Sequence, residues 1–119
     1  MNVSQTLRQF SFAIDEDGTI KGTERAYFGQ RFRNRVHSLL LERFREAQNH
    51  GLTKAELARR IGRPPEMVHR WLAAPRNLTL DTMCELLLGI CGEEFMLTTA
   101  PVRLRPAAEA ASSALAASS

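Results

Sequence analysis

Lys54, Arg63, Glu66, His69, Arg70, Arg76 and Asn77 fall in one polar stretch of this 119-residue chain. Their side chains bind charge and hydrogen-bonding edges; none of their spacings is that of bond-breaking chemistry. Arg and Lys offer donors only, ionised Glu offers acceptors, and Asn and His offer both. Between Arg25 and Arg76 the chain holds eleven Arg and Lys54 against four acids (Glu42, Glu46, Glu56 and Glu66), a local excess of +8, where the whole chain carries only +3. Acids gather outside this stretch, at Asp15, Glu16, Asp17, Asp81, Glu85, Glu93 and Glu94. A basic middle with acidic flanks points to an anionic partner. A solvated helical surface would carry the same excess, since Arg is a good helix former.

Catalytic and metal chemistry find little to work with. No Gly-rich phosphate loop, metal cluster or nucleophile–base motif is present. His37, His50 and His69 have no carboxylate or cysteine at a telling spacing, and a domain this small has little room for a deep pocket. The expectation is a protein that is not an enzyme and needs no cofactor or metal. Cys84 and Cys91 lie seven apart on an expected helix, a rise of about 10 Å that forbids a bridge between them. Both are expected as small buried or half-buried apolar residues in a reducing compartment. No run approaches the roughly 18 apolar residues of a membrane span. The first residues lack a basic region followed by an apolar stretch, so no secretory signal is expected and the cytoplasm is the expected location.

The elements that must position the polar stretch read as all-α. Residues 1–23 form an N-terminal extension in which Phe10, Phe12 and Ile14 alternate with polar residues, Asp15-Glu-Asp-Gly18 signals a turn, and Thr19-Ile-Lys-Gly returns, a short hairpin pattern. Asp15, Asp17 and Gly18 lack the later ligands and closing Glu of a calcium loop, so a simple turn is expected. A long helix runs from about Glu24 to Asn49, with Phe28, Phe32, Val36, Leu39, Leu40, Phe44 and Ala47 on one face. Arg31, Arg33 and Arg35 read as its solvated side. Gly51 follows as a left-handed cap. Thr53-Lys-Ala-Glu56 is a capping box, in which the Thr hydroxyl accepts from the third helical amide and Glu56 reaches back. Ala55, Leu57, Ala58 and Ile61 form the packing side of that helix, and Gly62 closes it. Pro64-Pro65 opens the next, where the first amides have no intrahelical acceptor to lose. Val68, Trp71 and Leu72 point inward, and Pro75 stops it. Thr79 caps a fourth helix whose inner face is Leu80, Met83, Leu86, Leu87 and Ile90, with Gly92 at its end. Glu93 to Thr98 is either a short fifth helix or extended. The domain thus occupies 24–98 with four to five helices. Residues 99–119, almost entirely Ala and Ser at the end, are expected to be a flexible tail.

A helix of about eight residues, a Gly-containing turn and a second short helix make a crossed pair, in which the first helix braces the second so that it protrudes. Ala58 is small enough for close approach, and Ile61, Val68 and Trp71 fill the angle between them. The series Leu52-Thr53-x-x-Glu56-Leu57-Ala58-x-x-Ile61-Gly62, Val68-x-Arg70-Trp71-Leu72 and Asn77-x-Thr79-Leu80-Asp81-Thr82-Met83 closely resembles the Cro/lambda-repressor-like (Xre-type) helix-turn-helix family. The resemblance covers about residues 30–92, the whole of that family's compact helical domain.

The resemblance implies double-stranded DNA as partner, with the helix around Pro65–Leu72 in the major groove. Lys54 matches a position that commonly touches phosphate. Pro65, Glu66, Met67, His69 and Arg70 fall on the recognition helix. Arg70 could bond guanine bidentately and Glu66 could accept from cytosine N4. Arg76 and Asn77 sit in the loop that touches the backbone, and Arg63 in the turn could do the same. Pro64-Pro65 departs from the family's usual polar pair, removing a side-chain cap and a base-reading side chain, and Glu66 sets negative charge near phosphates. The implied function is transcriptional regulation by sequence-specific binding, as a homodimer. The second function, favoured by the double proline and Glu66, is a protein-interaction module such as the antitoxin half of a toxin–antitoxin pair.

Overall fold

The computed structural model describes residues 14–102. Among these residues the chain is all-helical, with four helices and no strand: α1 (Gly22–Asn49), α2 (Lys54–Ile61), α3 (Pro65–Ala73) and α4 (Leu80–Cys91). The described residues divide into two compact units, Gly29–Leu97 and, separately, residues 14–28 with 98–102.

In the second of these units, the expected hairpin reduces to one antiparallel bridge pair, Ile14 with Ile20. Phe10 and Phe12 lie outside the described residues, as does the Ala/Ser-rich tail beyond residue 102. The Asp15–Gly18 turn closes through Gly18 N–H to Asp15 C=O at 2.9 Å, with Gly18 at φ 86°. The Asp17 carboxylate accepts from the Thr19 amide at 3.0 Å and its hydroxyl at 2.6 Å. That carboxylate thus organises a simple turn. Phe28, expected on the apolar face of α1, is half-buried and meets the Tyr27 ring edge to face at 5.0 Å.

The unit Gly29–Leu97 holds the polar stretch, and local rules explain its helix ends. At the end of α1, Leu52 N–H donates to Ala47 C=O at 3.0 Å while Gly51 sits at φ 100°, a left-handed turn that non-glycine residues rarely adopt. Thr53 caps α2, its hydroxyl accepting from Glu56 N–H at 3.1 Å. Only this half of the capping box forms. Glu56 does not reach back, because Arg59 Nε donates to its carboxylate at 2.9 Å and Arg60 lies 3.6 Å away. Gly62 at φ 67° lets its own amide and that of Arg63 turn back onto the last carbonyls of α2. Pro64 offers α3 no side-chain cap, as expected. Ala74, held extended at φ −156° and ψ 154°, ends α3 as the residue before Pro75 must. Thr79 caps α4 by accepting from Thr82 N–H at 3.1 Å, and Gly92 closes it at φ 72°. Among the described residues no helix follows, so the count there is four; Glu93–Leu97 is irregular, with Phe95 packed on the core.

The core draws on every helix: Val36, Leu40 and Phe44 from α1, Leu57 and Ala58 from α2, Val68 and Leu72 from α3, and Met83, Leu86, Leu87 and Ile90 from α4, with Leu52 between. Leu40, Leu57, Leu86 and Val68 are fully buried. Each such side chain contributes about 1.5–3 kcal/mol, well above the 0–1 kcal/mol or so of an exposed ion pair. Apolar packing therefore sets where α3 sits, and the surface charges are passengers on that geometry.

Several expected core positions are corrected. Leu80 is 75 % exposed, because it is the first residue of α4 and turns outward there. Phe32 is 54 % exposed, so the apolar face of α1 is packed only from Val36 onward in this unit. Ala55 is exposed, and Trp71 and Ile61 are half-buried against the core's edge. Cys84 and Cys91 are exposed free thiols and not buried apolar residues.

Candidate nucleic-acid interface

α3 presents an exposed surface made of Glu66, His69 and Arg70, with Met67 half-buried behind it and Val68 and Leu72 buried beneath. Three contacts fix this helix besides its core side chains. His37 of α1 places Nε2 3.1 Å from the Leu72 carbonyl, one of the last carbonyls of α3. Arg76 Nε donates to the Arg70 carbonyl at 3.0 Å and so covers another. At the opposite side Lys54, the first residue of α2, sets Nζ 3.2 Å from His69 Nδ1. Orphan carbonyls at a helix end otherwise need water. Here they are met by groups from α1 and the following loop, which tie α3 to its support.

The residues expected at this site divide. Lys54, Glu66, His69 and Arg70 come together around α3. Among the described residues, no ion pair engages Glu66 or Arg70, including one with each other. Asn77 is exposed in the loop after α3, beside Arg76. Arg76 is partly spent on the Arg70 carbonyl, though a guanidinium keeps further donors. Pro65 opens the helix as its first residue and adds no polar group.

Arg63 departs from expectation. Its Nε and Nη2 donate to the two oxygens of Glu85 on α4 at 3.1 and 3.0 Å. The fork holds the Glu85 carboxyl below the usual carboxylate range, chiefly through its hydrogen bond, and raises the Arg63 guanidinium further. In this state Arg63 is committed within the protein. Other basic side chains of the stretch are committed within the protein in the same way. Glu93 takes Arg43 at 2.9 Å, Glu56 takes Arg59, and Arg60 donates to the Gly89 carbonyl at 2.9 Å. The charge count along the sequence sets Glu85 and Glu93 outside the basic stretch, whereas folding carries them onto it, against Arg63 and Arg43.

Two shallow clefts of about 380 and 560 Å³ flank the Arg43–Glu93 pair, and neither includes a residue of α3. The exposed polar side chains of α3, Glu66, His69 and Arg70, lie outside both clefts. Compared with protein-family models, curated proteins and solved structures, the chain matches none. What this face can bind follows from its own chemistry. On α3 itself Glu66 balances Arg70, and Lys54 and Arg76 beside it add positive charge, so the face offers both donors and acceptors to hydrogen-bonding edges of a partner.

Sequence reading also missed Gly89. A Cβ built there would stand 2.6 Å from Ile61 Cγ2 and 2.8 Å from Leu57 Cδ1. Its signal was available: a lone Gly inside an otherwise apolar helix marks close packing. The partners of His37 and Arg63 carried no such signal, being set by tertiary approach alone.

Proposed function

We propose that the protein is a sequence-specific duplex-DNA-binding transcriptional regulator of the lambda-repressor-like helix-turn-helix type, with α3 as the recognition helix. One observation carries this reading. On α3, a helix braced by α2, Glu66 and Arg70 are exposed with no ion pair among the described residues, and Lys54 contacts His69 on the same helix. In the major groove Arg70 would bond the guanine O6 and N7 edge and Glu66 the cytosine N4 amine, while Lys54, Arg76 and Asn77 position the helix on phosphates. One helix reads only a few base pairs, so a homodimer on two half-sites belongs to this reading.

A second reading, the protein-interaction module or antitoxin half, draws on two observations. Glu66 is exposed on the reading face, and Arg63 is held by Glu85. Both lower the attraction for phosphate. Selection from a randomised duplex pool, with wild type and Arg70→Ala at low and near-physiological salt, separates the two. The regulator reading expects an enriched motif that Arg70→Ala relaxes at one base pair, by about tenfold or more. Binding without a motif, lost on adding salt and indifferent to Arg70, would overturn it in favour of a protein partner.

A further inference from the structure

The contact between Lys54 and His69 has a chemical consequence beyond holding α3. A lysine ammonium has three donors and no acceptor. With Nζ 3.2 Å from His69 Nδ1, the imidazole nitrogen must be the acceptor. Nδ1 then carries no proton, and in the neutral ring the proton resides on Nε2. Nε2, at the opposite corner of the ring, has no protein partner among the described residues, and His69 is exposed on the face that holds Glu66 and Arg70. The ring therefore offers a donor outward. With the other tautomer it would offer an acceptor there, and the sign of what it reads would reverse.

We propose that His69 is a specificity-determining residue and Lys54 its positioning residue, the Lys54 ammonium fixing the imidazole so that Nε2–H is offered to a guanine edge. The inference rests on the duplex-DNA reading of α3. Guanine shows two acceptors, N7 and O6, and no donor in the major groove, whereas thymine shows one acceptor, O4, beside its methyl group, adenine sets its N6 donor beside N7 and cytosine shows only a donor. A fixed N–H donor therefore favours guanine, and a ring free to exchange tautomers discriminates less. Lys54 keeps two further donors, so a phosphate contact and the hold on His69 are compatible.

The experiment has two arms on the full-length protein. In the first, long-range ¹H–¹⁵N spectra of the free protein at about pH 8, above the ordinary imidazole value of about 6.5, report the protonated nitrogen of each ring. His69→Gln identifies the His69 signals among those of His37 and His50. The expected result is a protonated Nε2 and bare Nδ1 in nearly every molecule, a mixture of both tautomers in Lys54→Met, and restoration in Lys54→Arg, which also donates. Mixed tautomers in wild type, or a spectrum indifferent to Lys54→Met, overturns the proposal without touching the DNA reading.

In the second arm, duplex selection is run with the same variants. His69→Gln and Lys54→Met are expected to lose preference for guanine at one shared base pair by about fivefold, near the low end for a single base contact. Arg70→Ala acts at a different base pair. Unchanged preference in His69→Gln, with Arg70→Ala still altering its own position, overturns the role of His69 while the regulator reading stands. Failure of wild type to select any duplex overturns both.

Discussion

Arg63 and Arg70 lie one polar stretch apart and have opposite fates, and the difference is a single carboxylate. Arg63 forks onto both oxygens of Glu85 at 3.1 and 3.0 Å, whereas no ion pair engages Arg70 among the described residues. A bidentate pair between exposed groups contributes little to stability, within about 1 kcal/mol, but it decides whether a charge is available to a partner. To reach a phosphate, Arg63 must leave Glu85, and the affinity gained is reduced by what that separation costs. Glu85→Gln keeps the shape and removes the charge. If α3 binds duplex DNA, this variant is expected to bind more tightly and to steepen the salt dependence by about one further phosphate, a change in log–log slope of roughly 0.9. Titration of a duplex at several salt concentrations reads that slope directly. An unchanged slope would mean that Arg63 stays away from phosphate even when released. The stability of the variant should differ from wild type by no more than the exposed pair is worth.

At the level of elements, α4 reaches α2 through a missing side chain. Gly89 faces Leu57, fully buried, and Ile61, half-buried, at distances that no Cβ tolerates. Two effects oppose each other in Gly89→Ala. Helix propensity favours Ala by about 1 kcal/mol, and overpacking costs about 1–3 kcal/mol when the neighbours cannot yield. Leu57 has no room to yield, so the net change is expected to be a loss of about 1–2 kcal/mol and a thermal midpoint lower by several degrees. A thermal melt checks it; a raised midpoint would show that α4 can slide away from α2. The same helices show what was legible in the sequence. The helix ends were written in Thr53, Gly62, Pro75, Thr79 and Gly92, because caps and breakers act within a few residues of themselves. The inner faces of α2, α3 and α4 followed from three-and-four spacing, but periodicity assigns a face without saying how far it is covered. That is why Leu80 and Phe32, in phase with the core, are nonetheless exposed beyond its edge. Lys54, Glu66, His69 and Arg70 were legible as a group from their place on two adjoining helices. The withdrawal of Arg63 was not, since Glu85 lies on a later helix and only the packed fold brings the two together.

For the whole molecule, the carboxylates that fold onto basic residues give stability a definite dependence on pH. Glu56 is held below its ordinary range by the Arg59 hydrogen bond, Glu85 by that of Arg63, and Glu93 by those of the Cys91 thiol and Arg43; Asp17 is lowered by the Thr19 hydroxyl and amide. Each is a stronger acid folded than unfolded. Its contribution is complete above the unfolded value, about 4 for these carboxyls, and is lost as pH falls through the lower folded value. Cys91 acts at the other end. Partial loss of water around the thiol, helped by the Glu93 carboxylate, raises it. That contribution is complete below the unfolded thiol value, about 8.5, and is lost as pH rises through the folded one. Thermal midpoints are therefore expected to be flat from about pH 5 to pH 8 and to fall on both sides. All these groups are at or near the surface, so both limbs should be shallow and the acid limb should weaken further in salt. The assignments are separable. Glu85→Gln should flatten part of the acid limb and leave the alkaline limb alone, and Cys91→Ala should do the reverse. A midpoint that kept rising as pH fell below 4 would overturn the sign for the carboxylates. It would mean that folding disfavours the ionised Glu56, Glu85 and Glu93, through desolvation or repulsion among acids, and that their pairing with Arg59, Arg63 and Arg43 does not offset it.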